Sequence, residues 1–263
     1  MEILSLLLGT VLLRPYVFVF LAFYLTIAIL NMGLARSLIF TVLAYSIAFL
    51  SEYSSTRNGF PYGFYSYIDT TRGQELWITN VPFMDSLSYA FLSYISYTFS
   101  LLLWSSLKTK GLDIRLRYSQ PVKLSIRVIL TGAFLFMMMD VIIDPVAFLG
   151  DRWFLGKIYT YQEEGEYFNI PLTNFGGWFL VGTAIIGSFS LLNQWLKLPP
   201  PPKRDIPCQA LLGPGLYFGV LIFNLAVTFY IGEFLLGFCG ILIFLGIFFL
   251  LVYKIKNPDW LTG

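Results

Sequence analysis

The chain alternates long apolar runs with short polar breaks, and the lengths of the runs decide its architecture. Seven runs, about 16–32, 37–53, 82–104, 125–149, 173–196, 211–231 and 234–253, are each long enough to cross a hydrocarbon layer as a helix. An earlier apolar stretch, 1–13, is too short to span and lacks the basic leader and small-residue cleavage site of a signal peptide. It reads as an interfacial turn or short helix ending at Arg14-Pro15. The pattern predicts an all-α polytopic membrane protein: seven transmembrane helices in one integral-membrane domain over 1–263.

The breaks differ in character. Segments 54–81 and 150–172 are long, polar and aromatic, the second with a solvated acidic patch at Glu163, Glu164 and Glu166. Segment 108–123 is a basic loop, 199–202 is a four-proline run that reads as a stiff linker, and Gly232-Glu233 is a tight turn. Arg36, Lys108, Lys110, Arg115, Arg117, Lys123, Lys197, Lys203, Arg204, Lys254 and Lys256 fall on one side of this layout. The other side holds only Arg14, Arg57, Arg72, Arg152 and Lys157. The positive-inside rule then puts the N-terminus out and the C-terminus in the cytoplasm. Glu52, Asp85, Asp144, Asn174 and Glu233 all fall at outer helix ends, with Asp140 one turn deeper, so six polar groups from five segments are expected in one leaflet.

Composition narrows the chemistry. Only 12% of the 263 residues are charged and 57% are hydrophobic, against about 25% charged in a soluble domain. The net charge of +2 sits in short loops, and no phosphate-binding Gly loop or basic recognition helix is present, so nucleic acid is not an expected partner. The chain has no histidine, which removes His-ligated haem, histidine-box di-iron centres and zinc proteases. Cys208 and Cys239 read as packing residues, since two thiols build neither an iron–sulfur nor a structural zinc site. No cofactor and no metal site is expected, although Mg²⁺ held by acids stays open. Aromatic residues reach 19%; they suit membrane packing, and equally a long apolar ligand or a carbocation.

Within the fourth run, Phe136-Met-Met-Met-Asp140-Val-Ile-Ile-Asp144-Pro145 places two carboxylates one helical turn apart on one face. An acid at bilayer depth costs about 2.5–3.5 kcal/mol on insertion scales unless it is paired, wetted or protonated. A neutral carboxyl there is a proton donor; the plainer alternative is helix–helix glue. Pro145 removes an N–H beside the pair and predicts a kink or frayed turn.

Other candidates flank the outer loops. Glu52 to Tyr67 carries Arg57, Tyr62, Tyr65 and Tyr67, with Tyr spacing that suits a pocket mouth or, alternatively, an aromatic belt. Arg57 is a candidate counter-ion for Glu52 or an Asp. Glu75 to Tyr89 carries Trp77, Asn80, Asp85 and Tyr89. Pro82 and Asp85 suit a helix first turn, and Asn80 suits a cap. Trp153, Asn174 and Trp178 flank the second loop; Asn174 either holds an Asp or water or caps its helix. Glu233 reads as structural.

The strings around Glu52–Tyr67, Glu75–Tyr89, Asp140–Pro145 and Asn169–Trp178, in that order across seven spans, resemble the carotenoid 1,2-hydratase family, which includes γ-carotene hydratases and bisanhydrobacterioruberin hydratase. The resemblance covers roughly Arg14 to Gly182. It implies a cofactor-independent enzyme in the plasma membrane of a bacterium or archaeon, acting on an apolar polyene and water among membrane lipid, and compatible with association with other carotenoid-pathway enzymes. The implied reaction adds water to the terminal double bond of an acyclic end group, giving a tertiary alcohol. Such a reaction needs a neutral acid, a group to hold water, and aromatic faces to shield a cation. The expected catalytic set is Asp140 as donor and Asp144 orienting water, or the reverse, supported by Glu52, Asn174 and Asp85. Substrate contacts are expected from Arg57, Tyr62, Tyr65, Tyr67, Trp77, Tyr89, Trp153 and Trp178. A proton-initiated lycopene-type cyclase is the nearest alternative, followed by a membrane prenyltransferase using Mg²⁺ and a small-solute transporter.

Overall fold

The computed structural model describes residues 2–111, 113–117, 125–196, 198 and 206–261. Its α-helices are α1 Glu2–Leu13, α2 Pro15–Met32, α3 Leu34–Asn58, α4 Phe83–Trp104, α5 Ile126–Phe148, α6 Leu172–Trp195, α7 Leu212–Tyr230 and α8 Phe234–Lys256. Seven of them, α2 to α8, are long and apolar enough to cross a membrane. The protein is an all-α polytopic membrane protein. The 1–13 stretch is a short helix, one of the two forms expected for it.

The least apolar span is the innermost. The best window of α4 has a mean hydropathy of only 1.2 yet is 83% buried, whereas that of α8 reaches 2.9 and is 28% buried. A helix surrounded by protein does not face lipid, so α4 tolerates a serine- and tyrosine-rich face. Ser93, Ser96 and Ser100 return their hydroxyls to carbonyls of α4 itself. These small residues let neighbouring helices approach closely. Gly132 of α5 shows how tight the approach is, since a Cβ there would stand 2.7 Å from Ile186 Cδ1 of α6. Helices α5, α3, α7 and α2 pack around α4, α6 packs chiefly on α5 and α3, and α8 lies outside against α7 and α5.

Short strands organise the ends of the bundle. Strand β1 (Tyr65–Tyr67) pairs antiparallel with β6 (Tyr159–Tyr161), matching Tyr65 to Tyr161 and Tyr67 to Tyr159, and so ties the two long aromatic loops together. Strands β2 (Trp77–Ile78) and β3 (Val81–Pro82) form a tight pair leading into α4. The basic loop holds a hairpin, β4 (Leu107–Lys110) with β5 (Asp113–Leu116), that the sequence reading did not anticipate. Half of its eight strand residues are charged and each strand has only four, too few for a two-residue period to stand out.

Other expectations need correction. Helix α3 runs to Asn58, five residues past the expected end of its span, because a helix continues into polar residues once it has left the apolar layer. Of the two forms expected at Pro145, the frayed turn is not found: the proline lies inside α5, which continues three residues beyond it to Phe148. Asn80 caps nothing: its side chain bonds Arg57 and Thr56, and the residue preceding α4 is Pro82. The 199–202 proline run, Lys123, Lys197, Lys203 and Arg204 lie outside the described residues.

A buried ion pair locks the acid-bearing end. Arg14, between α1 and α2, meets Glu75 at 3.1 Å and donates to the Leu155 carbonyl, with Arg14 and Glu75 each 1% exposed. Thr71 adds a hydrogen bond to Glu75, and Thr10 accepts the Leu76 N–H at 2.8 Å. Removing one member of such a pair strands a buried charge, at a cost of about 3–5 kcal/mol. Arg14→Met is therefore expected to lower thermal stability in detergent sharply. Arg14→Met with Glu75→Leu should recover most of the loss, because replacing both charges with apolar side chains leaves neither unpaired.

Candidate functional site

Six helices and two loop strands close around one cavity of about 120 Å³. Helix α5 supplies Asp140 and Asp144, α3 supplies Glu52, α4 supplies Asp85 and Tyr89, and α6 supplies Asn174 and Trp178. The β1–β6 pair contributes Tyr65, Tyr67, Tyr159 and Tyr161, and helices α2 and α7 close the far side with Phe20 and Val220. The four-residue spacing of Asp140 and Asp144 does put both on one α5 face.

Asn174 bridges them. It sits in the first turn of α6, where its side-chain amide donates to Asp140 Oδ2 at 2.7 Å and to Asp144 Oδ2 at 3.0 Å. Both amide hydrogens are thereby used. It does not cap α6, whose preceding residue is Pro171.

The two acids then part company. Asp144 Oδ1 accepts from the Tyr159 hydroxyl, and Asp144 Oδ2 accepts from Tyr161 at 3.0 Å in addition to Asn174. Three donors thus converge on one carboxylate, of roughly four lone-pair positions available. Among the described residues, Asp140 has Asn174 alone, and its Oδ1 is buried without a partner. Burial, and after it the neighbouring Asp144 charge, push the Tyr159 and Tyr161 phenols well up from the ordinary tyrosine range, so both remain protonated donors.

A second pair of acids lines the same cavity. Glu52 accepts from Ser86 Oγ of α4, and Asp85 Oδ2 accepts from the Tyr67 hydroxyl at 2.5 Å. Aromatic rings line the same cavity. Tyr89 stacks on Trp178 with ring centroids 4.5 Å apart, and Tyr62 lies 6.3 Å from the same indole with its hydroxyl 2.9 Å from Ser51 Oγ. Gly177, next to Trp178, has no room for a Cβ, which would fall 2.5 Å from the Tyr62 ring. Polar atoms at the ends and ring faces along the side suit an apolar guest that carries charge transiently.

Most candidates named from sequence meet here, and two do not. Arg57 is exposed, lies 3.3 Å over the Tyr53 ring and donates to Asn80 at 2.9 Å; its pairing with Glu52 or an Asp is not seen. Trp77 packs edge-on to Tyr67 at 6.0 Å, behind the cavity wall. Glu233 pairs with Arg152 at the surface, away from the acids. The sequence reading missed Tyr159 and Tyr161, although Tyr-Thr-Tyr repeats the Tyr-Ser-Tyr pattern of 65–67, and a spacing of two puts both rings on one strand face. Among the described residues, no three His, Cys, Asp or Glu side chains group closely enough to hold a metal ion.

No curated protein and no solved structure matches the chain. A family described as "Carotenoid biosynthesis protein" matches residues 3–248, which reaches past the 14–182 resemblance into α8 and takes in every segment that lines the cavity. With all of α2 to α7 inside that match, the chain belongs to the carotenoid biosynthesis protein family.

Proposed function

We propose that the protein is a carotenoid 1,2-hydratase, adding water to the terminal isopropylidene double bond of an acyclic carotenoid. The observation that carries this reading is the asymmetry of the paired acids. Asp144, with three donors, is built to remain a carboxylate, while Asp140 keeps one oxygen unpartnered at the cavity. In this reading Asp140 is the acid.

The Asp140 proton goes to the CH carbon of the double bond, and its π electrons become the new C–H bond. The other carbon becomes a tertiary cation, shielded by the faces of Tyr89 and Trp178. A water held at the remaining acceptor position of Asp144 attacks, forming the C–O bond. Its surplus proton returns to the Asp140 carboxylate, so one water is consumed and the site is restored. Glu52 and Asp85, held by Ser86 and Tyr67, keep the cavity polar enough to admit water. A cyclase would instead need water excluded, so that a second double bond captures the cation. The charge bias of the loops supports an N-terminus-out orientation, with the acids in the outer leaflet of a bacterial or archaeal plasma membrane.

The test is expression in a host that accumulates lycopene, followed by mass analysis of the pigments. Products heavier by one water per modified end, carrying a tertiary alcohol, are expected. A ring-bearing product of unchanged mass would make the protein a cyclase, and unaltered lycopene alone would overturn the assignment to acyclic end groups.

A further inference from the structure

The acid cavity is too small for its proposed substrate. Its volume of about 120 Å³ lies below the ~300–1,000 Å³ of pockets that engulf even drug-sized ligands. It holds an end group, so the rest of a polyene has to leave through a wall.

One wall has a groove directly behind it. The groove, about 760 Å³, lies between α7 and the α5–α6 loop and is lined by Trp153, Phe154, Phe223, Ala226, Val227 and Tyr230, with Asp151 and Arg152 at its polar margin. Trp153 lines both the groove and the acid cavity. The seam is aromatic: Tyr16, a cavity residue, stacks on Phe223, a groove residue, at 5.5 Å, and Trp153 stands 6.1 Å from Tyr16. The Trp153 indole N–H is held by the Val146 carbonyl at 3.0 Å, and Arg152 is held by Glu233 and by the Ile231 carbonyl. The segment carrying the seam is thus pinned to both α5 and the α7–α8 turn. Tyr230 is 82% exposed and Phe154 61% exposed, so the floor of the groove continues onto the apolar outer face of the bundle.

We propose that this groove is the binding subsite for the polyene chain, which passes over Trp153 and Phe223 while its end group reaches Asp140. The proposal rests on the hydratase reading for the identity of the reactive end, but the groove and its occupant are separately testable. Flat, rigid polyenes match a strip of ring faces and small aliphatic side chains, and binding energy gained along the chain positions the reacting end.

The experiment compares wild-type protein with Ala226→Trp and Val227→Trp, which fill the groove without touching the acid cavity. Binding is read as the induced circular dichroism of lycopene added to purified protein. Turnover is read on lycopene and on myrcene, a short hydrocarbon with the same isopropylidene end. Both variants are expected to weaken lycopene binding and to lower its kcat/KM by roughly tenfold or more while leaving myrcene turnover unchanged. Loss of lycopene binding in the variants when wild-type protein binds but turns over neither hydrocarbon would uphold the groove and overturn the hydratase. Wild-type protein that binds no lycopene, lycopene binding indifferent to both variants, or equal loss on lycopene and myrcene would each overturn the groove.

Discussion

Asp140→Asn is expected to lower hydration by about 10²–10⁴-fold, the range a positioned general acid contributes, while protein and bound polyene persist. Asparagine is nearly isosteric and still offers an oxygen to the Asn174 amide, which Asp140 now meets at 2.7 Å. What it lacks is an acidic proton for carbon. The other acids of the cavity are already engaged: Asp144 by Tyr159, Tyr161 and Asn174, Glu52 by Ser86, and Asp85 by Tyr67. The loss should fall on kcat rather than KM, because the missing interaction exists only in the transition state. The check is a pigment profile alongside membrane abundance: substrate accumulates, hydrated product vanishes, and the protein band is unchanged. Full product from Asp140→Asn would remove Asp140 from the mechanism and leave the acid pair as helix–helix glue.

How far the sequence could reach depends on the range over which each signal acts. Hydropathy sums over some twenty residues, so all seven spans were legible, and their bounds slipped most at α3, which starts three residues early at Leu34 and continues through the polar residues 54–58. The convergence of Glu52, Asp85, Asp140, Asp144 and Asn174 was legible for a related reason. Alternating spans bring every second helix end to the same level, so acids at those ends share a leaflet, although Glu233 pairs with Arg152 and does not join the cavity.

Pairings between distant loops left no such trace. Tyr65–Tyr67 and Tyr159–Tyr161 form one ladder across more than ninety residues, and each three-residue strand is too short to announce itself. Arg14 and Glu75 are separated by 61 positions. From the sequence each is a lone charge beside an apolar run, and only the folded loops disclose that they neutralise one another. Arg57 erred the other way: its proximity to Glu52 in sequence suggested an ion pair, but a separation of five positions turns it outward on α3.

Tyr159→Phe combined with Tyr161→Phe carries the second large effect, and it tests why one acid donates and the other does not. Each hydrogen bond to a charged group contributes about 1.5–3 kcal/mol, so the pair of hydroxyls supplies roughly 3–6 kcal/mol of preference for the carboxylate at Asp144. Without them only Asn174 remains, and it holds the two acids almost alike, at 2.7 and 3.0 Å. The proton then has no reason to reside on Asp140. Phenylalanine keeps the rings that pack against Phe148 and Tyr65, so the fold and the β1–β6 ladder should survive. The expected result is a fall in kcat of about 10²-fold or more, since each ~1.4 kcal/mol is tenfold, with lycopene binding preserved. Infrared spectroscopy separates this from a merely structural role. In wild-type protein the carbonyl band of a buried protonated carboxyl should vanish with Asp140→Asn. In the double tyrosine variant a band should persist when Asp140→Asn is added, because Asp144 then carries the proton. Wild-type turnover in the double variant, or a band that still disappears with Asp140→Asn, would mean that the tyrosines do not decide where the proton sits.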